Sequence, residues 1–511
     1  MTSSAEPTTR VPVTSSAEPS SRLPLLLACG GAFLAFLDVT ITNLAVPDLG
    51  ADFSVGVTSL SWVVTLYTIL FAALLAPAGR LADVVGRRRL FVAGVTTFTV
   101  ASLVAALAPT FGVLLAARAV QGVGAALMMP ASLAFVLADT PPARRTAAIG
   151  LWSASAAVAA AAGPALGGVL VDAFDWRVLF CINVPIGAWL AYRAWRLPTA
   201  AEAGGPLPDA LGTALVAGSV GLVVLGVTEG EQWGWSSAAT LASLAGGVVL
   251  GAAAVYRSGR ARVPAIETAL WRSRTYASAN VVSLLFGVAL YASLLLGVLF
   301  LTSVWRYSAL EAGFAMTPAA AWAAVVGVAI GRSERKPSPA ALVSGGALMI
   351  GVTSVALALW VPADPHFVTA WLPGGFGLGF GMGAVSVGVS SAAALSVAPE
   401  KFAAATGLNI AARQVGGALG VAILAVIVDG YTPADGVEPF QLGYWLMAAA
   451  CFGAAIAGLR LVLPAAATTV ATGAAAGAAA PGASPGATEA IASPTAAAAP
   501  VSTAPATTGG H

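Results

Sequence analysis

The sequence predicts an all-α integral membrane protein: two six-helix bundles with two further helices between them, fourteen spanning helices in all. Three observations predict it. The 511-residue chain is 58% hydrophobic and only 9% charged, with a mean hydropathy of +0.88. A soluble domain carries roughly 25% charged residues, so this chain cannot coat a globule with charge. Fourteen apolar stretches reach the ~20 residues that cross a bilayer. A pattern beside the second stretch returns beside the tenth.

The elements follow in order. Residues 1–22 are rich in Ser, Thr and Pro and repeat TSSAEP at 2–7 and 14–19, the composition of a disordered tail. The spanning stretches are 23–47, 58–78, 89–108, 111–137, 147–171, 177–197, 209–229, 238–256, 276–304, 311–331, 341–361, 367–397, 403–429 and 439–463. LLAC at 26–29 has the look of a lipoprotein cleavage box, but the apolar run continues to Pro47, which favours a spanning helix. Residues 464–511 are Ala, Pro, Thr and Gly with one acid, Glu489, a low-complexity tail.

The basic residues test this count. With the N-terminus in the cytoplasm, 20 of the 24 Lys and Arg fall on the cytoplasmic side; only Arg177 and Arg306 fall outside. Such a bias orients both termini inward. Arg118 and Arg413 remain inside helices.

PAGRLADVVGRRRLFVAG (77–94) and AIGRSERKPSPAALVSGG (329–346) share a Gly-Arg opening, a basic cluster and a closing Gly. Helices 2 and 10 are thus equivalents. The chain divides into six-helix halves at 23–197 and 276–463, with two extra helices within 198–275. Repeated halves with a site between them are the plan of secondary transporters.

Composition also excludes. Cys29, Cys181 and Cys451 lie singly in apolar runs, and the histidines are only His366 and His511. No metal or disulfide framework is expected, nor any cofactor or nucleic-acid partner.

Asp38 lies inside FLAFLDVTITNLAVPDL (33–49). A carboxylate at the centre of a membrane helix costs at least ~2.5 kcal/mol, so it is a functional candidate by default. Gly31, Ala35, Asp38, Thr42 and Ala45 share one face of helix 1, and Arg118, Gln121, Gly122 and Ala125 share one face of helix 4. Both faces are small and polar, and they are expected to line one cavity. Burial disfavours an ionised Asp38 and a neighbouring guanidinium favours it. Two readings of the pair stand: a proton site, or a fixed structural ion pair. Further cavity candidates are Asn43 on helix 1, Trp62 and Tyr67 on helix 2, Asn280 and Tyr291 on helix 9, and Asn409 and Arg413 on helix 13. For each, helix–helix hydrogen bonding is the bland alternative. GLGFGMG (377–383) mimics a dinucleotide fingerprint, but it lies in an apolar helix and follows no strand, so close packing is expected.

Five segments together resemble the major facilitator superfamily, in its 14-helix drug:proton antiporter branch. GRLADVVGRRR (79–89) resembles the loop between helices 2 and 3, and FLDVTITNLAVP (36–47) the helix 1 motif. RAVQGVGAA (118–126), GPALGG (163–168) and DWRVLFCINVPIG (175–187) resemble motifs of helices 4, 5 and 6. The resemblance spans helices 1–14 and implies two bundles that rock about a central cavity.

It also implies roles. Asp83 would latch the halves in the outward-open state with Arg87 as partner, while Gly79 and Gly86 permit a tight turn. The second-half copy carries Arg335 in place of the acid, so only the first half should bear the latch. In GPALGG, Pro164 would bend helix 5. Gly163, Gly167 and Gly168 allow close helix contact, which the resemblance assigns to sealing against leak during antiport. Ala159 stands where the family pattern has glycine.

The expected function is therefore proton-coupled efflux of lipophilic drugs, antibiotics or amphiphilic metabolites, by a monomer in the plasma membrane. Helices 9–14 carry no acid near their centres, which tilts the substrate toward neutral, monocationic or anionic amphiphiles. The alternative is a proton-coupled nutrient importer on the same fold; by resemblance, GPALGG and Asp38 favour export. A membrane enzyme lacks any nucleophile–base pair or soluble catalytic domain.

Overall fold

The computed structural model describes residues 22–42, 45–197, 206–333, 337–428 and 436–462. The tails expected to be disordered, Asn43, and Arg335 lie outside these residues.

Among the described residues, thirteen helices are long and apolar enough to cross a membrane. The other expected stretch lies in Arg145–Ala173, a 29-residue helix. The long helices are α1 (Leu23–Thr42), α2 (Val57–Val85), α3 (Arg87–Ala106), α4 (Phe111–Asp139), α5 (Arg145–Ala173), α6 (Arg177–Trp195) and α7 (Ala210–Thr228). They continue with α8 (Ala238–Ser258), α9 (Arg274–Ser303), α10 (Ala309–Arg332), α11 (Pro339–Trp360), α12 (Leu372–Leu395), α13 (Phe402–Val428) and α14 (Glu438–Gly458). Their starts follow capping chemistry. Thr110, Asp209, Ser237, Ser273, Ser308 and Ser338 each accept a hydrogen bond from a backbone N–H of the first turn.

Local chemistry moves three expected boundaries. The stretch 23–47 is divided: α1 ends at Thr42 and a separate helix, Val46–Phe53, begins with proline in its first turn, where the missing N–H costs nothing. Helix α2 runs to Val85 and carries Pro77, so Gly79 is helical and not part of a turn. Gly86 alone makes the corner, at φ 115°, a conformation closed to most other residues. Helix α6 is interrupted at Ile182, between Arg177–Cys181 and Asn183–Trp195; Pro185 lacks the N–H that would span the interruption.

One apolar core is built from α1–α6 around Phe91, Phe98, Met128 and Trp152, and Phe402 and Ile410 of α13 join it. A second belongs to α9–α14, around Phe286, Phe300, Val385 and Phe440. The halves meet along α2 with α13 and α5 with α10. These contacts lie toward the end of the bundle that carries the basic loops. A Cβ on Gly79 would stand 2.3 Å from the Ala403 carbonyl oxygen, and one on Gly407 2.4 Å from that of Leu75. Gly150 likewise faces Gly327 and Gly331. Only backbones without side chains pack this closely.

Within each half a glycine-bearing helix clasps the first helix of that half. Gly163 of α5 abuts Thr40 of α1; Gly416 and Gly420 of α13 abut the Leu284 and Val288 carbonyls of α9. Gly163 and Gly167 are buried, and α5 continues as helix through Pro164 and Gly168. In GLGFGMG, Gly379 and Gly383 of α12 meet the Ala319 and Ala323 carbonyls of α10; the segment packs helices. The extra pair, α7 and α8, forms a hairpin, with α7 laid on α2 and α13. Only 28% and 17% of their apolar windows are buried, so the pair sits at the periphery.

Candidate functional site

Asp38 and Arg118 are both fully buried and face each other in the middle of the first half. Arg118 Nη1 donates to Asp38 Oδ2 at 2.6 Å. Asn183 Nδ2 and Gln121 Nε2 donate to Asp38 Oδ1 at 2.9 and 3.3 Å. Arg118 Nε donates to the Val63 carbonyl at 2.9 Å, and Nη1 also reaches Gln121 Oε1 at 2.9 Å. Gln121 Nε2 donates to Ser102 Oγ at 2.7 Å. Helices α1, α2, α3 and α6 thus contribute one group each, and α4 two, to one hydrogen-bonded network. The carboxylate and the guanidinium thereby each have several partners, as a buried ion pair needs to offset its desolvation; Asn183 Oδ1, also enclosed, accepts no hydrogen bond among the described residues.

The guanidinium also lies over the Tyr67 ring, 4.4 Å from its centroid. The Tyr67 hydroxyl donates to the Ala35 carbonyl at 3.4 Å. On its other side Tyr67 borders a cavity of about 210 Å³ between the two halves. Its walls are apolar, including Phe36, Phe71, Trp152, Phe286, Trp371 and Met382, with hydroxyls from Thr40, Thr68 and Tyr444. Asp38 and Arg118 do not line it, and Tyr67 stands between them and the cavity.

The sequence-derived cavity list therefore splits. Tyr67, Tyr291 and Arg413 border the cavity. Gln121 belongs to the ion-pair network. Thr42 donates to the Asp38 carbonyl within its own helix, at 2.7 Å. Asn280 donates to the Tyr276 carbonyl within its own helix at 2.9 Å, and Asn409 of α13 donates across to the Ala279 carbonyl of α9 at 3.2 Å. Trp62 is half-buried and outside the lining. Of the expected helix 1 and helix 4 faces only Ala35, among the described residues, lines the cavity; the others do not. They pack directly, because charge attraction and the close approach of Gly122 to the Tyr67 carbonyl draw α1, α2 and α4 together.

At the basic end, Asp83 spans the halves. Its Oδ1 accepts from Arg87 Nε and Nη2 at 3.0 and 2.9 Å, and from the Ala403 N–H at 3.3 Å. Its Oδ2 accepts from the Ala404 N–H at 2.8 Å. A carboxylate is thereby placed on the free N–H groups that begin α13, where the helix dipole favours negative charge. Arg87 also donates to the Pro399 carbonyl. Glu267, in the connection before α9, pairs with Arg80 of α2 at 3.3 Å and with Lys401 at 2.7 Å.

Sequence reasoning missed Asn183, Ser102 and Glu267. Asn183 had a signal, being a lone amide in an apolar run. Ser102 had none to set it apart from other helix hydroxyls. Glu267 sits in a polar connector, and its partners are distant in the chain.

Residues 28–421 match the profile of the Major Facilitator Superfamily. The chain is 32% identical over 406 residues to the methylenomycin A resistance protein of Streptomyces coelicolor, covering 79% of this chain and 85% of that protein. It is 34% identical over 423 residues to the multidrug resistance protein Stp of Mycobacterium tuberculosis, covering 81% and 77%. It is 34% identical over 455 residues to the cephamycin export protein CmcT of Amycolatopsis lactamdurans, covering 87% and 92%. The fold is similar to that of the human organic anion transporter MFSD10, with a TM-score of 0.60 at 15% identity, over 87% of this chain and 100% of that one.

Proposed function

Because the chain belongs to the Major Facilitator Superfamily, we propose that it is a proton-coupled antiporter that exports lipophilic drugs, antibiotics or related amphiphilic metabolites by alternating access. It is a multi-pass membrane transporter and not an enzyme. The names of its relatives, which resist or export antibiotics, support export as the direction. We place it in the plasma membrane as a monomer, with its basic end and both termini in the cytoplasm, following the positive-inside rule.

The single observation that carries the coupling is the enclosed Asp38–Arg118 pair beside, and screened from, the central cavity. In the arrangement described, Asp83 and the Gly79–Ala403 contact hold the cytoplasmic ends together. Movement of Tyr67 would admit external water to Asp38. A proton taken there neutralises the carboxylate and loosens its hold on Arg118. With that pair weakened, α1 and α4 are free to shift, the halves rock, and Asp38 releases the proton inward. Each charge moved is worth ~2.3 kcal/mol per 100 mV, which drives substrate outward.

The test is proton flux in everted vesicles holding an inward acid gradient. Adding a transported dye should partly dissipate the gradient with the native chain. Asp38→Asn should abolish this in vesicles matched for the amount of folded protein. Undiminished dye-dependent proton flux in Asp38→Asn would sink the assignment.

A further inference from the structure

The second buried arginine is held quite differently from the first. Arg413 of α13 is 6% exposed and borders the central cavity. Its side chain makes no ion pair among the described residues, and its Nε, enclosed by protein, has no hydrogen-bond partner. Among the described residues that line the cavity it is the only charged one; no Asp or Glu is present. A guanidinium removed from water without an acceptor is strongly disfavoured. Next to it the Tyr291 hydroxyl donates to Gln414 Oε1 at 2.5 Å. That bond occupies the acceptor of Gln414 and leaves its amide N–H groups available. The second half therefore presents a fork of donors with a full positive charge and no counter-charge among the described lining residues to a cavity whose walls include Phe286, Trp371 and Met382.

We propose that Arg413 is the substrate-recognition residue and that the cavity takes amphiphilic organic monoanions, with a planar carboxylate on the guanidinium and an apolar body against the aromatic wall. Guanidinium and carboxylate match in geometry, two parallel N–H···O bonds to two oxygens. The ion pair forms only when the cavity is occupied, so an anion fills an electrostatic deficit that a neutral or cationic ligand leaves open. This inference rests on the cavity being the transport site, but not on Asp38 being the proton site.

The test is equilibrium binding of a fluorescent aryl carboxylate and its primary carboxamide to the full chain in nanodiscs, without any proton gradient. A charge-assisted hydrogen bond in a buried site is worth about tenfold or more in affinity. The carboxylate should bind the native chain at least about tenfold tighter than the amide. Arg413→Gln should erase that preference, and Arg413→Lys should keep part of it, since the charge remains and the fork is lost. Thermal unfolding shows whether each variant is folded; removing an unpaired charge should not lower the midpoint. Equal binding of acid and amide by the native chain overturns the proposal, as does an undiminished preference in folded Arg413→Gln. Binding should survive Asp38→Asn. A preference for the carboxylate in the native chain that is lost in Asp38→Asn but kept in Arg413→Gln places the anion on the other arginine and also overturns it. Loss of proton flux with the binding pattern intact affects only the coupling.

Discussion

Among the described residues two arginines are buried inside the bundle, and the groups around them differ. Arg118 has a carboxylate, an amide oxygen, a backbone carbonyl and an aromatic face. Arg413 has a cavity. Removing one partner of a satisfied buried pair leaves the other charged and alone, typically at a cost of ~3–5 kcal/mol. Arg118→Gln should therefore lower the thermal unfolding midpoint in detergent markedly, and Asp38→Asn added to it should recover most of the loss. If the double variant is no more stable than the single one, the pair is not the unit described. Asn183 should matter less: Asn183→Leu removes one neutral donor to Asp38, and should lower the unfolding midpoint by the equivalent of about 1–2 kcal/mol.

At the scale of elements, the seam between α2 and α13 joins the halves at the basic end. It has two parts, a backbone contact at Gly79 and Gly407 and a carboxylate on the α13 N-terminus. Gly79→Leu puts a side chain where only 2.3 Å is free, so the cytoplasmic ends cannot close. A disulfide between cysteines placed at Ala147 and Gly331, on α5 and α10, should form readily in the native background. It should form slowly with Gly79→Leu. Asp83→Asn removes only the negative charge at the start of α13, worth ~0.3–1 kcal/mol, and should slow it less. Equal cross-linking in all three would mean that this seam does not hold the halves. Glu229, just past the end of α7, is a different kind of element end. It is 1% exposed, and burial raises its carboxyl above the ordinary value of 4.5, opposed by the Thr65 hydroxyl. A raised folded-state value favours the native state below the ordinary range, and that advantage is lost as pH rises through it. The native chain should thus lose thermal stability as pH rises past the ordinary Glu range, and Glu229→Gln should flatten the curve.

For the whole molecule, the distribution of charge argues for a basic end in the cytoplasm, the orientation that the proposed export requires. In a background where Cys29, Cys181 and Cys451 are replaced by serine, Ser236→Cys between α7 and α8 should react with an impermeant maleimide in intact cells. Gly259→Cys at the opposite end of α8 should react only after permeabilisation. The reverse pattern would invert the transporter.

How much of this was legible beforehand depended on what a residue needs. A bilayer demands apolar length and sorts basic residues by side, and both are local properties of the chain. The all-helical membrane fold could therefore be read from the sequence alone, to within one span by length and apolarity, and Asp38, Arg118 and Asp83 stood out because charge is conspicuous in an apolar run. Contacts between distant residues left no such mark. Only the tertiary structure paired Asp38 with Asn183, joined Glu267 to Arg80 and Lys401, and set Asp83 on the start of α13. It also took Thr42, Gln121, Asn280 and Asn409 out of the expected cavity lining, because helical periodicity names a face but not the neighbour that covers it. Whether a buried charge has a partner is a property of packing, and packing separated Arg118 from Arg413.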